Sequence, residues 1–108
     1  MALNMATFRK ILALDENDPL SRFALGQALL REGTTEALQE AAEHLTFANE
    51  KAADHLATYH VLGQVLTSLG RTEEARKVLS AGCERARGVS VGMGHDLGPA
   101  MADLLDAL

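Results

Sequence analysis

The stretches Leu25-Gly26-Gln27-Ala28-Leu29 and Leu62-Gly63-Gln64-Val65-Leu66 are one phrase written twice. Each glycine sits inside a run whose apolar residues recur at helical spacing, where glycine costs about 1 kcal/mol relative to alanine. Two such glycines with the same neighbours point to close approach: without a Cβ, a second helix lies against the backbone. The pattern predicts helical hairpins in tandem.

Composition bounds the same answer. The chain has 108 residues, the length of one domain, and buries roughly two thirds of its unfolded surface without help from a metal or disulfides. It is 47% hydrophobic with only two prolines, and alanine and leucine dominate, which is a helix-forming, all-α composition. The single cysteine, Cys83, makes no internal disulfide, in keeping with a reducing compartment and an expected cytoplasmic location. A formal charge of −5 argues against binding nucleic acid by neutralising phosphates. No apolar run reaches membrane-span length, and Arg9 and Lys10 interrupt the N-terminal segment where a signal peptide needs its apolar stretch.

Along the chain, residues 3–14 set Met5, Phe8, Ile11 and Leu12 on one stripe. Asp18-Pro19 then starts a second helix, Asp as cap and Pro at the first helical position, and Gly33 ends it. Thr34-Thr35 caps a third helix over 36–51, with Leu38, Ala41, Leu45 and Ala48 inward. Asp54 opens a fourth over 55–69, closed by Gly70. Thr72-Glu73-Glu74 starts a fifth, to about 87, with two acids where the helix dipole favours them. Residues 88–98 hold four glycines, and Pro99 opens a short helix over 99–108 with Met101, Leu104, Leu105 and Leu108 on one stripe.

Gly26 and Gly63 are 37 residues apart, and Leu29-x₃-Gly33 matches Leu66-x₃-Gly70. The segment Thr34–Glu40 holds a three-residue insertion; without it the period is 34, that of helix–turn–helix repeats. Over residues 5–87 the chain resembles a tetratricopeptide repeat protein. The matching residues are the pairs Leu25-Gly26 and Leu62-Gly63, then Leu29 and Leu66, and the turn glycines Gly33 and Gly70. The small–large–small ladders Ala41-Leu45-Ala48 and Ala75-Leu79-Gly82 complete the pattern. Arg22 stands where the family usually has a large apolar residue, a place that Tyr59 fills in the second repeat.

The resemblance implies an all-α stack of antiparallel hairpins wound into a right-handed superhelix of about six helices. It divides the single domain into an N-terminal helix in 1–18, repeats at 19–54 and 55–87, a glycine-rich link at 88–98 and a capping helix at 99–108. It implies a non-catalytic protein-binding module with no cofactor and no metal, its partner a protein or peptide segment rather than nucleic acid or membrane. Carried over residue by residue, the concave groove presents Leu20, Phe23, Gln27, Leu30 and Arg31, then Ala57, His60, Gln64 and Thr67. These lack the lysines and asparagines that hold a terminal carboxylate in the family's chaperone-tail binders. A neutral, partly apolar groove suits a hydrophobic segment whose backbone the two glutamines bond.

Rival readings attach to several of these residues. Phe23 fits a core position as well as a groove anchor. The four histidines and Cys83 form no His-x₃-His or Cys-x₂-Cys pair, so a metal site is not expected. Glu36, Glu40 and Glu43, opposite Arg76, Lys77 and Arg85, are expected to exchange surface ion pairs between neighbouring helices rather than to form docking patches. The glycine loop 88–94 lacks the preceding strand and Lys-Ser/Thr ending of a phosphate loop. The other function class is self-association, as a homo-dimer whose groove holds a second copy or the chain's own last helix. That helix is expected on the flank of the last hairpin, near Val78 and Cys83.

Overall fold

The computed structural model describes residues 5–88 and 97–108. Among the described residues it holds six helices and no strand: α1 (Met5–Leu14), α2 (Pro19–Glu32), α3 (Thr35–Lys51), α4 (Leu56–Ser68), α5 (Thr72–Arg87) and α6 (Leu97–Asp106). Most of the expected glycine-rich link, and with it the phosphate-loop reading and His95, lies outside the described residues.

Local chemistry sets four of the helix ends. The Asp18 carboxylate accepts from the Leu20 amide at 3.1 Å and from the Ser21 hydroxyl at 2.7 Å. Pro19 follows at the first helical position, where no amide hydrogen is needed. The Thr34 hydroxyl accepts from the Ala37 amide at 3.1 Å and caps α3. Gly33 and Gly70 end α2 and α4 at φ of 78° and 75°, left-handed angles that strain any side chain.

Two starts differ from expectation. Asp54 does not cap α4: the N-cap residue is His55, without a side-chain cap bond, and the Asp54 carboxylate meets Arg85 at 2.5 Å instead. α6 begins at Leu97, two residues before the proline. Pro99 is thus in the first turn, where amide hydrogens have no partner inside the helix.

The core forms where α3 and α5 fold back on α2 and α4. Leu25, Leu29, Ala41, Leu45 and Ala48 make one hairpin interior, and Leu62, Val65, Leu66, Ala75 and Leu79 the next, all buried. The two glycines are the contact points. A Cβ at Gly26 would stand 2.6 Å from Leu45 Cγ, and one at Gly63 would stand 2.7 Å from Leu79 Cγ. Each leucine therefore rests on bare backbone, at the same register in both hairpins.

Consecutive helices pack against one another throughout. Among alternate helices, the backbone of α2 neighbours that of α4 and α4 neighbours α6, while the backbones of α1, α3 and α5 stay apart and α1 reaches α3 through side chains, among the described residues. The even helices thus run close together along one side. α6 packs on α5 and α4, with Met101 fully buried beside Tyr59 and Leu79 and with Val78 and Cys83 against the same cluster. A Cβ at Gly82 would stand 2.5 Å from Met101 Sδ and 2.8 Å from Tyr59 Cβ.

The other end is looser. α1 has no buried residue; Met5, Phe8 and Leu12 are half-buried on the core. Ile11, expected on that inward stripe, is 41% exposed, and Leu14 is 88% exposed.

Gly63→Ala gains helix propensity of up to about 1 kcal/mol but drives a methyl into Leu79, and is expected to lose ~1–3 kcal/mol net. Leu79→Ala alone is expected to cost ~2–5 kcal/mol. In that background Gly63→Ala becomes neutral or stabilising, which denaturant unfolding of the four proteins measures. Equal costs in both backgrounds would remove the contact from the account. At the other seat, Met101→Ala is expected to cost ~2–5 kcal/mol. A melting temperature unmoved by that change would show that α6 contributes nothing to the core.

Candidate functional site

The nine residues expected to line a groove lie on α2 and α4, the two even helices that touch. Gln27 and Gln64 each follow a buried glycine by one residue, so their side chains project a further 100° around the helix from the α3 or α5 contact. Both are half-buried, as are Phe23, Leu30, Ala57 and His60. Leu20 is 56% exposed, and Arg31 and Thr67 are exposed.

These side chains are not equally free. Phe23 and Leu30 pack against the core cluster, and the ring of Phe23 meets that of His55 edge-on at 4.8 Å between centroids. The imidazole of His55 also shares a 2.7 Å hydrogen bond with the buried Thr58 hydroxyl. Phe23 therefore serves core and surface together, tying α2 to the start of α4. The Thr67 hydroxyl donates to the Gly63 carbonyl at 2.7 Å and is used within its own helix. Burial pushes the His60 imidazole below its ordinary range, favouring the neutral ring. What remains is a largely apolar strip with two amides and one charge, the exposed Arg31 in the last turn of α2.

The charged residues pair differently from the expected exchange between α3 and α5. Arg71, Arg76 and Arg87 meet Glu74, Glu73 and Glu84 of their own segment, and Arg85 reaches Asp54. No ion pair joins α3 to α5 among the described residues. Glu40 instead takes both terminal nitrogens of Arg9 on α1, at 2.5 and 2.9 Å. His44, one turn along α3, places Nε2 3.2 Å from the same carboxylate.

This cluster continues into a group that the charge stripes did not point to. Arg22 Nη1 lies 3.3 Å from His44 Nδ1. A guanidinium only donates, so Nδ1 accepts and the proton sits on Nε2, facing Glu40. Arg22 Nε donates to the Glu16 carbonyl at 2.8 Å, and its guanidinium carbon stands 4.0 Å from the centre of the Phe47 ring. Arg9, Leu12, Ala13, Glu16, Arg22 and His44 line an open depression of about 380 Å³. The internal repeat held a signal for it: Arg22 occupies the place of Tyr59, and an arginine in an aromatic's place needs partners of its own.

No three His, Cys, Asp or Glu side chains converge as metal ligands among the described residues. No helix among them is long and apolar enough to cross a membrane.

The Glu40 carboxyl is held at about 2, below its ordinary 4.5, chiefly by the Arg9 hydrogen bond and further by His44, against the opposing effect of burial. A carboxyl depressed by folding stabilises the fold above about 4.5, and that contribution is lost as pH falls toward about 2. Arg9 is 50% exposed, so solvent screening limits the pair to ~0–1 kcal/mol. Arg9→Ala should therefore lower unfolding free energy near pH 5 and match the wild type near pH 2. A difference independent of pH would assign the loss to the packing of the arginine stem. Compared with protein-family models and with curated proteins, the chain matches none.

Proposed function

We propose that the chain is a tetratricopeptide-type binding module whose even helices form a concave face that takes an apolar segment of a partner protein. The observation that carries this reading is the asymmetry of contacts. Among the described residues the backbones of α2, α4 and α6 run close together while those of α1, α3 and α5 stay apart, α1 meeting α3 through side chains alone, a pattern that suits a stack curving toward its even helices. Helical pairs repeated at a period near 34 residues support the same architecture, a right-handed superhelix of hairpins.

The chemistry of the strip sets the class of ligand. Phe23 and Leu30 present edges of the core, Leu20 stands open beside them, and Gln27 and Gln64 offer amides at equivalent places. An amphipathic helix or extended apolar segment uses such a strip, its side chains on the apolar edges and its backbone on the amides. Fold alone does not set specificity; these side chains do. No catalytic step is part of the reading, and a cytoplasmic setting fits it.

Display selection of short amphipathic peptides, followed by amide-shift mapping, tests this. Bound peptide is expected to shift Phe23, Gln27, Leu30, His60 and Gln64. The double change Gln27→Glu and Gln64→Glu is expected to weaken binding about tenfold or more, by setting unpaired charge against an apolar ligand, while helical circular dichroism stays unchanged. Shifts confined to α3 and α5, or equal binding by the double variant, would remove the even-helix face from the account. Light scattering across a dilution series separates the self-association reading, which predicts a homo-dimer that dissociates as peptide is added.

A further inference from the structure

Arg22 and Tyr59 hold the same place in the two hairpins and make the same bond. The Tyr59 hydroxyl donates to the carbonyl of Ala53 at 2.7 Å, and Arg22 Nε donates to the carbonyl of Glu16 at 2.8 Å, each six residues back along the chain. Tyrosine has one donor and uses it there. A guanidinium has five, with a fixed positive charge. Arg22 uses one on Glu16 and one on His44, and among the described residues Nη2 makes no bond, so three N–H groups remain.

The charge is also unmatched. Arg9, Arg71, Arg76, Arg85 and Arg87 each meet a carboxylate. Arg22 is half-buried, yet no carboxylate lies within 4.0 Å of it among the described residues. Its charge rests on the Phe47 ring and two neutral acceptors. Keeping a guanidinium part-way out of water without a counter-ion is unfavourable unless an anion can reach it.

We propose that the depression between α1, α2 and α3 binds one carboxylate on a short aliphatic stem, with Arg22 as its guanidinium partner. Charge selects the anion. Arg9 is already balanced by Glu40, and Arg22 is the lining arginine that no carboxylate contacts among the described residues, so a single negative charge is what its guanidinium lacks. The exposed Glu16 at the rim and the net charge of −5 disfavour a dianion such as phosphate. Shape agrees, because a planar fork of N–H groups fits the two oxygens of a carboxylate. Leu12 and Ala13 supply the apolar wall for the stem, and a volume of about 380 Å³ is at the small end for ligand sites. The carboxylate comes either from a free short-chain acid or from a glutamate side chain of a partner. The site lies outside the proposed groove and stands without it.

The test uses the full chain, with sodium butyrate and a blocked Ala-Glu-Ala peptide as probes, and sodium chloride at matched ionic strength as reference. Amides of Leu12, Ala13, Arg22 and His44 are expected to shift saturably, while those of Gly63 and Leu79 stay fixed. Arg22→Tyr keeps the bond to the Glu16 carbonyl, as Tyr59 does, but removes the charge, and is expected to weaken binding about tenfold or more. Arg22→Gln supplies a second variant, and Glu16→Gln is expected to tighten binding. A peptide bound about tenfold tighter than butyrate assigns the carboxylate to a partner chain, and equal affinities assign it to a free acid. Linear, non-saturating shifts in both wild type and Glu16→Gln, or equal binding by Arg22→Tyr, would overturn the proposal.

Discussion

A leucine seated on a glycine is the contact on which the hairpins depend. Leu45 meets Gly26 and Leu79 meets Gly63, both leucines with no exposed surface. Glycine mid-helix costs about 1 kcal/mol, whereas burying a leucine side chain contributes ~1.5–3 kcal/mol, so each seat is favourable only because the leucine goes fully in. Gly82 repeats the device at the end of the chain, with Met101 and Tyr59 against it. Bare backbone at three levels brings the helices together with small buried residues such as Ala41, Ala48 and Ala75 filling the gaps.

The two ends follow from how each outer helix meets this core. α6 has a seat: Met101 enters between α4 and α5 and is fully buried, with Leu97, Leu104 and Leu105 around it. α1 has none, and attaches through half-buried Met5, Phe8 and Leu12 and through the Arg9–Glu40 pair on its flank. Few buried contacts mean a low local free energy of opening. The docking of α1 is therefore expected to respond to acid and salt, since the Arg9–Glu40 tie depends on a charged carboxylate.

What was legible in the sequence was what neighbours in the chain decide. Asp18-Pro19, Thr34, Gly33 and Gly70 act within one turn of themselves, and the apolar ladders repeat at helical spacing, so helix number and inward faces could be read directly. Asp54 has the chemistry of a cap but pairs with Arg85, 31 residues away, and nothing local announces that choice. The Arg9–Glu40 pair spans the same distance, which is why the charge stripes suggested the wrong partners. For the proposed groove the repeat suggested positions but could not say how free their side chains are: Phe23 and Leu30 share their surface with the core.

The contrast between Tyr59 and Arg22 shows how one hairpin geometry carries different chemistry. The helix pairs are fixed by the glycine seats, and the turns before α2 and α4 are each fixed by a donor reaching back six residues to a carbonyl. Any side chain long enough to place a donor there satisfies the turn. In the second hairpin a phenol does so and the position closes, buried beside Met101 and Leu79. In the first, the same bond is made by a group with four further N–H donors and a charge, and the neighbourhood is remade around it. Phe47 takes one face, His44 is held in a single tautomer, and Glu40 is drawn between His44 and Arg9. One exchange at a structurally tolerant position thus converts an apolar plug into a polar, anion-seeking site, with the fold that surrounds it unchanged.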